Sequence, residues 1–139
     1  MDRLVFVDSD VLIDVLATRK PFFELSSGVL TLAEQKVFRA YTSPLILANT
    51  FYVIEKFANR ATALGALKKI RKFIDVVEMN QKTVDQALDS DYRDFEDALE
   101  VFSAENAVMD FIVTRNLKDY GNSNVRALGP GELLALYLL

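Results

Sequence analysis

The chain contains no cysteine, no histidine and no tryptophan. Without cysteine there is no disulfide, no thiolate nucleophile and no thiolate metal site. The loss of histidine excludes more: the usual zinc ligands, the Ser-His-Asp and Cys-His triads, and the commonest general base. Any chemistry must therefore rest on carboxylates. Glycine and proline are also scarce, 5 and 3 of 139 residues, too few for linker arrays, collagen or Pro/Gly-rich disorder. No apolar run approaches the roughly 18 to 20 residues of a membrane span. The first residues enter a β-rich run instead of the basic and apolar segments of a secretory signal. A soluble, unprocessed, cytoplasmic protein with no membrane partner is expected.

What is present suits one domain over residues 1–139, since 51% of the residues are hydrophobic and 26% charged. The formal net charge of -4 argues against nonspecific coating of nucleic acid. Its distribution says more. Lys56 to Lys72 holds six basic residues and no acid, whereas Asp85 to Glu100 holds seven acids and one base, Arg93. A basic arm and an acidic region in one small domain suit a metal site beside a polyanion track; two solvated helix faces of opposite sign are the plainer alternative.

Leu4-Val5-Phe6-Val7 reads as a strand buried on both faces that ends at Asp8, with Ser9 and Asp10 as cap chemistry for a helix starting near Val11. A helix over about 22–34 follows. A strand over 36–42 leads through Ser43-Pro44 into a long helix to about Asn59, and another helix covers 61–72. The pattern continues with a strand over 73–78, a helix over 81–88, a helix over 95–106 capped by Asp94, strands over 110–114 and 125–128, and a terminal helix. Strands alternating with helices predict a three-layer α/β/α sandwich around a mostly parallel sheet of about five strands.

In such sheets the ligand site lies beyond the carboxyl ends of the strands, where the strand order reverses. Asp8, Ser43, Asp97 and the stretch from Thr114 to Asp119 all fall at that edge. Carboxylates converging from separate elements suit a hard cation such as Mg²⁺ or Mn²⁺. Such an ion activates a bound water and neutralises charge on a phosphoryl group, which supplies a nucleophile without histidine. Asp10 is close enough to Asp8 to support it. Asp14, Asp94 and Glu96 read as surface or capping groups.

Four segments in order then resemble the motifs of PIN-domain proteins of the VapC-like toxin kind. They are Phe6-Val7-Asp8-Ser9-Asp10 with the apolar residues after it, Thr42-Ser43-Pro44 through Asn49, Asp94-Phe95-Glu96-Asp97-Ala98-Leu99, and Ile112-Val113-Thr114-Arg115-Asn116 through Tyr120. The resemblance implies the PIN fold and a magnesium- or manganese-dependent endoribonuclease, the hydrolase toxin of a toxin-antitoxin pair. It implies RNA as substrate, a small antitoxin as partner, and a homodimer. Carried over by position, Asp8 is the first acid, Asp97 the third and Asp119 the fourth. Asn116, where many members have Asp, is an added amide ligand, and Ser43 and Thr114 are hydroxyls that bond a carboxylate, water or phosphate. The second acid is missing: the family usually has Glu six residues after the serine, and here that residue is Asn49. An amide oxygen can ligate but brings no charge, so Asn49 is expected to leave a weakened metal site. Lys56, Arg60, Lys68, Lys69 and Lys72, with Arg115, are the expected RNA contacts.

Two other readings fit parts of the pattern. Depletion at Asn49 favours a non-catalytic PIN-like module that binds RNA or protein. Asp8-Ser9-Asp10-Val11 also resembles the nucleophile motif of haloacid-dehalogenase-type phosphatases, which usually continue through a glycine-containing turn that this chain lacks.

Overall fold

The computed structural model describes residues 2–138. In chain order it contains β1 (Leu4–Val7), α1 (Ser9–Leu16), α2 (Phe23–Glu34), β2 (Arg39–Thr42), α3 (Pro44–Phe57), α4 (Arg60–Ile70), β3 (Ile74–Val76), α5 (Gln81–Leu88), α6 (Phe95–Asn106), β4 (Phe111–Val113), a short 3₁₀ helix (Leu117–Tyr120), β5 (Arg126–Leu128) and α7 (Pro130–Tyr137). The sheet order is β3-β2-β1-β4-β5 and every pairing is parallel. β1 is central, so Val5, Phe6 and Val7 are all fully buried, as continuous apolarity in a doubly covered strand requires.

Right-handed crossovers put the helices between β1 and β3 on one face and α5 and α6 on the other. The packing agrees: α1 meets α2 and α3, α2 meets α7, α3 meets α4, and α5 meets α6. Phe6, Leu12, Val29, Ile112 and Leu133 lie in the core, each at or near zero exposure. Burying a side chain of this size stabilises by about 1.5–3 kcal/mol. The three-layer expectation holds, and the sheet is wholly parallel.

Element ends differ where local chemistry intervenes. α1 begins at Ser9, ahead of Val11, because Asp8 itself is the N-cap and accepts a hydrogen bond from the Ser9 N–H at 2.8 Å. β2 starts at Arg39, three residues after Lys36. There the chain leaves α2 through a left-handed turn at Lys36, φ 60°, whose N–H bonds the Ala33 carbonyl. The 3₁₀ turn over Leu117–Tyr120 has no periodic signal in the sequence, and it carries Asp119.

Candidate active site

Connections leave β1 and β4 toward opposite faces of the sheet, so the crevice beyond their carboxyl ends is the switch point of the topology. Asp8 follows β1 and Thr114 follows β4. The Asp8 N–H bonds the Val113 carbonyl at 3.1 Å, and the Thr114 hydroxyl donates to Asp8 Oδ2 at 2.8 Å. Asp10, the second residue of α1, accepts the Arg115 backbone N–H at 2.9 Å through Oδ2; its buried Oδ1 has no hydrogen-bond partner among the described residues. α1 thus presents two nearly buried carboxylates to one hydroxyl.

From the opposite face α6 contributes the rest. Asp94 accepts the Asp97 N–H at 3.0 Å and does the capping. Asp97 is thereby left for the cleft, where it lies within electrostatic reach of Asp119, Asp94, Asp8 and Glu96. Glu100, one turn further, is only 3% exposed and accepts the Ser43 hydroxyl at 2.6 Å. Tyr120, in the 3₁₀ turn, lies beside Asp8. Asp97 and Asp119 line one cavity and Asp8 lies within electrostatic reach of both, with Thr114 bonded to Asp8 and Ser43 to Glu100.

Sequence reasoning missed Glu100 and Tyr120. The available signal for Glu100 was its spacing of three from Asp97, which puts both on one helix face. Asn49, on α3, donates its side-chain amide to Glu96. Asn116 is exposed at the start of the 3₁₀ turn, with its backbone N–H on the Thr114 hydroxyl at 3.0 Å.

The expected RNA contacts are placed differently. Lys56, Arg60, Lys68, Lys69 and Lys72 are all exposed. Lys72, however, precedes the start of β3 and lines a cavity with Asp2, Lys36 and Arg39, at the sheet edge opposite Asp8. Arg115 forms a bidentate pair with Asp14, Nε to Oδ2 at 2.8 Å and Nη2 to Oδ1 at 3.0 Å, and its guanidinium lies 3.6 Å from the centroid of the Phe22 ring. Asp14 is completely buried and also accepts from Ser26. It is neither a surface nor a capping group, and Arg115 is spent on it. Arg93 and Lys118, by contrast, line a cavity of about 270 Å³ with Asp97 and Asp119.

Burial and mutual repulsion raise the acids together. Burial, then Asp8, pushes Asp10 up to about 6. Asp97 rises to about 7, by burial and then Asp119. Glu100 rises to about 8, by burial and the charges of Asp8, Glu96 and Asp97, against the Ser43 hydrogen bond. Asp8 is raised by burial despite Thr114 and Ser9.

These folded values lie above the ordinary 3.8 and 4.5. The folded state therefore holds these protons more tightly than the unfolded state, and that stabilisation is lost as pH climbs through about 6 to 8. Metal-free protein should melt several degrees lower at about pH 8.5 than at about pH 5.5, and Mn²⁺ should narrow the gap. A melting temperature that stays flat or rises over that range would contradict the clustering.

Carboxylates that raise one another, with hydroxyls and amides and no nitrogen or sulfur donor, are the donor set of a hard cation. Among the described residues no group of three or more acid side chains is arranged as it stands to hold a metal ion. Mg²⁺ keeps several waters and needs only one or two carboxylates, so the set still fits.

A family model described as "PIN domain" matches residues 4–118. The chain belongs to the PIN-domain family. The match stops one residue before Asp119, which lies within electrostatic reach of Asp97 and Asp8. Over 133 residues the chain is 23% identical to Ribonuclease VapC1 of Aquifex aeolicus, covering 92% of this chain and 91% of that one. Among solved structures, DNA-bound VapBC from Salmonella typhimurium gives a TM-score of 0.70 at 16% identity, covering 94% of this chain and 99% of that one. Mycobacterium tuberculosis VapC20, a sarcin-ricin loop cleaving toxin, gives 0.61 at 16% identity, covering 78% and 86%. The all-parallel five-stranded sheet is thus the PIN fold, and membership leaves the phosphatase reading without support. Among the described residues no helix is long and apolar enough to cross a membrane.

Proposed function

We propose that this PIN domain is a divalent-metal-dependent endoribonuclease, the toxin of a toxin-antitoxin pair. What supports the reading is that Asp8 after β1, Asp97 on α6 and Asp119 in the 3₁₀ turn lie within electrostatic reach at the switch point, Asp97 and Asp119 lining one cavity. Similarity to a protein named ribonuclease and to VapC toxins supports the substrate class, and structures titled VapBC support an antitoxin partner.

Asp8, Asp97 and Asp119 would hold Mg²⁺ or Mn²⁺, with Asn116 as an amide oxygen at the rim. Such an ion supplies an activated water and neutralises charge on the scissile phosphate. Thr114 fixes Asp8, and the Asp10–Arg115 backbone bond fixes the loop that carries Thr114. Asn49 orients Glu96. Tyr52 and Phe57 on α3 are 64% and 63% exposed, which supports a homodimer surface there.

Incubating labelled single-stranded RNA with the protein and Mn²⁺ should yield discrete fragments. RNA that is bound but remains intact would favour the non-catalytic module. For the RNA track we look to Arg93 and Lys118 beside the acids, ahead of α4. Arg93→Ala/Lys118→Ala should weaken RNA binding across sequences and flatten its salt dependence by up to about 0.7 per lost phosphate contact. Lys68→Ala/Lys72→Ala should change the slope less. The reverse order would return the track to α4.

A further inference from the structure

We propose that Glu100 supplies the fourth carboxylate that α3 lacks, serving as an oxygen donor of the divalent-cation site directly or through one of the ion's waters. This rests on the nuclease reading above and adds a residue to it. Three features carry it.

The first is burial without a counter-charge. Glutamate is almost never fully buried unless paired, yet Glu100 is 3% exposed and no Lys or Arg bridges it among the described residues. Its hydrogen-bond partner is the Ser43 hydroxyl, and its charged neighbours are Asp8, Glu96 and Asp97. A buried acid facing other acids is costly as it stands. A divalent cation among them turns that cost into attraction.

The second is direction. The Ser43 oxygen accepts the Ile46 N–H at 3.0 Å and so caps α3, which commits the hydroxyl proton to Glu100 Oε1 at 2.6 Å. The carboxyl is thereby held across the gap between α6 and the first turn of α3. Ser43 takes Oε1.

The third is Asn49. It sits six residues past Ser43 on α3 and bonds Glu96 on α6, across the same gap. Glu96 and Glu100 are one turn apart on one face. Where α3 offers a neutral amide, α6 offers a carboxyl group that can ionise against a bound cation.

The test is calorimetric titration with Mn²⁺ at fixed pH, beside thermal melts in EDTA and in Mn²⁺. Glu100→Gln should weaken Mn²⁺ binding about tenfold or more, since even outer partners of metal ligands cost 10–100-fold. It should also shrink the Mn²⁺-induced rise in melting temperature, with melting in EDTA no lower than wild type. Glu100→Asp keeps the charge but withdraws it by one methylene, and should fall between. Wild-type Mn²⁺ affinity in Glu100→Gln, with affinity lost in Asp8→Asn, would overturn the role of Glu100 and leave the nuclease standing. No Mn²⁺ uptake by the wild type would overturn both.

Discussion

Asp8→Asn should reduce Mn²⁺-dependent RNA cleavage at least about a hundredfold while leaving the fold in place. Residues one layer beyond a metal ligand already cost 10–100-fold, and the charge of Asp8 reaches Asp10, Asp97, Glu100 and Tyr120 alike. The fold should survive because asparagine keeps an oxygen for the Ser9 N–H, so α1 retains its cap. Its amide can still meet the Thr114 hydroxyl, which accepts as well as donates. Removing a buried carboxylate beside Asp10 and Asp119 also relieves repulsion in the metal-free state. Asp97→Asn should behave similarly, with Asp94 still capping α6. Full cleavage by Asp8→Asn with unchanged circular dichroism would remove it from the chemistry.

Asp14→Ala should be the most damaging single change to stability, costing roughly 3 kcal/mol and lowering the melting temperature by about 10 °C. The carboxylate is completely buried and accepts from Ser26 Oγ at 2.8 Å and from Arg115 at 2.8 and 3.0 Å, with Arg19 Nε at 3.4 Å. Truncation leaves the Ser26 hydroxyl buried without an acceptor and the Arg115 guanidinium pressed on Phe22 without its anion. Arg115 retains 24% side-chain exposure, which keeps the loss toward the low end for a broken buried pair. Asp14→Asn, which preserves volume and one acceptor, should lose about half as much. Urea unfolding at neutral pH measures both, and a loss under about 1 kcal/mol for Asp14→Ala would show the pair to be surface-like. Because Arg115 follows Thr114, this pair also holds the β4 loop against Asp8, so the stability and geometry of the site are linked.

Asp8, Ser43, Asp97 and Thr114 were legible in the sequence for one reason. Asp8, Ser43 and Thr114 each follow a strand and Asp97 lies in the first turn of a capped helix, and in a parallel α/β sheet strand ends and helix starts gather at the carboxyl edge. Glu100 was hidden because it interrupts the buried face of α6 in mid-helix, and its meaning comes from Ser43, 57 residues away. Asp14 was misread for a similar reason, its partner Arg115 being 101 residues distant. Charge density along the chain says nothing of which sheet edge a helix ends at, and Lys72 just past the end of α4 lies at the edge away from Asp8. Asn49 reads as a departure from the family's pattern, and its Glu96 partner depends on how α3 crosses α6. The strand and helix order needed no such long-range information, since period and caps are local.

The central claim is that a bound divalent ion, held by these carboxylates, is what lets a protein without histidine or cysteine cut RNA. The most direct measurement is cleavage of labelled single-stranded RNA by protein dialysed against EDTA, before and after graded addition of Mn²⁺ or Mg²⁺. The account predicts no cleavage in EDTA and a saturable return with added ion, absent in Asp8→Asn at every concentration. Equal cleavage with and without EDTA, or a full return in Asp8→Asn, would contradict it.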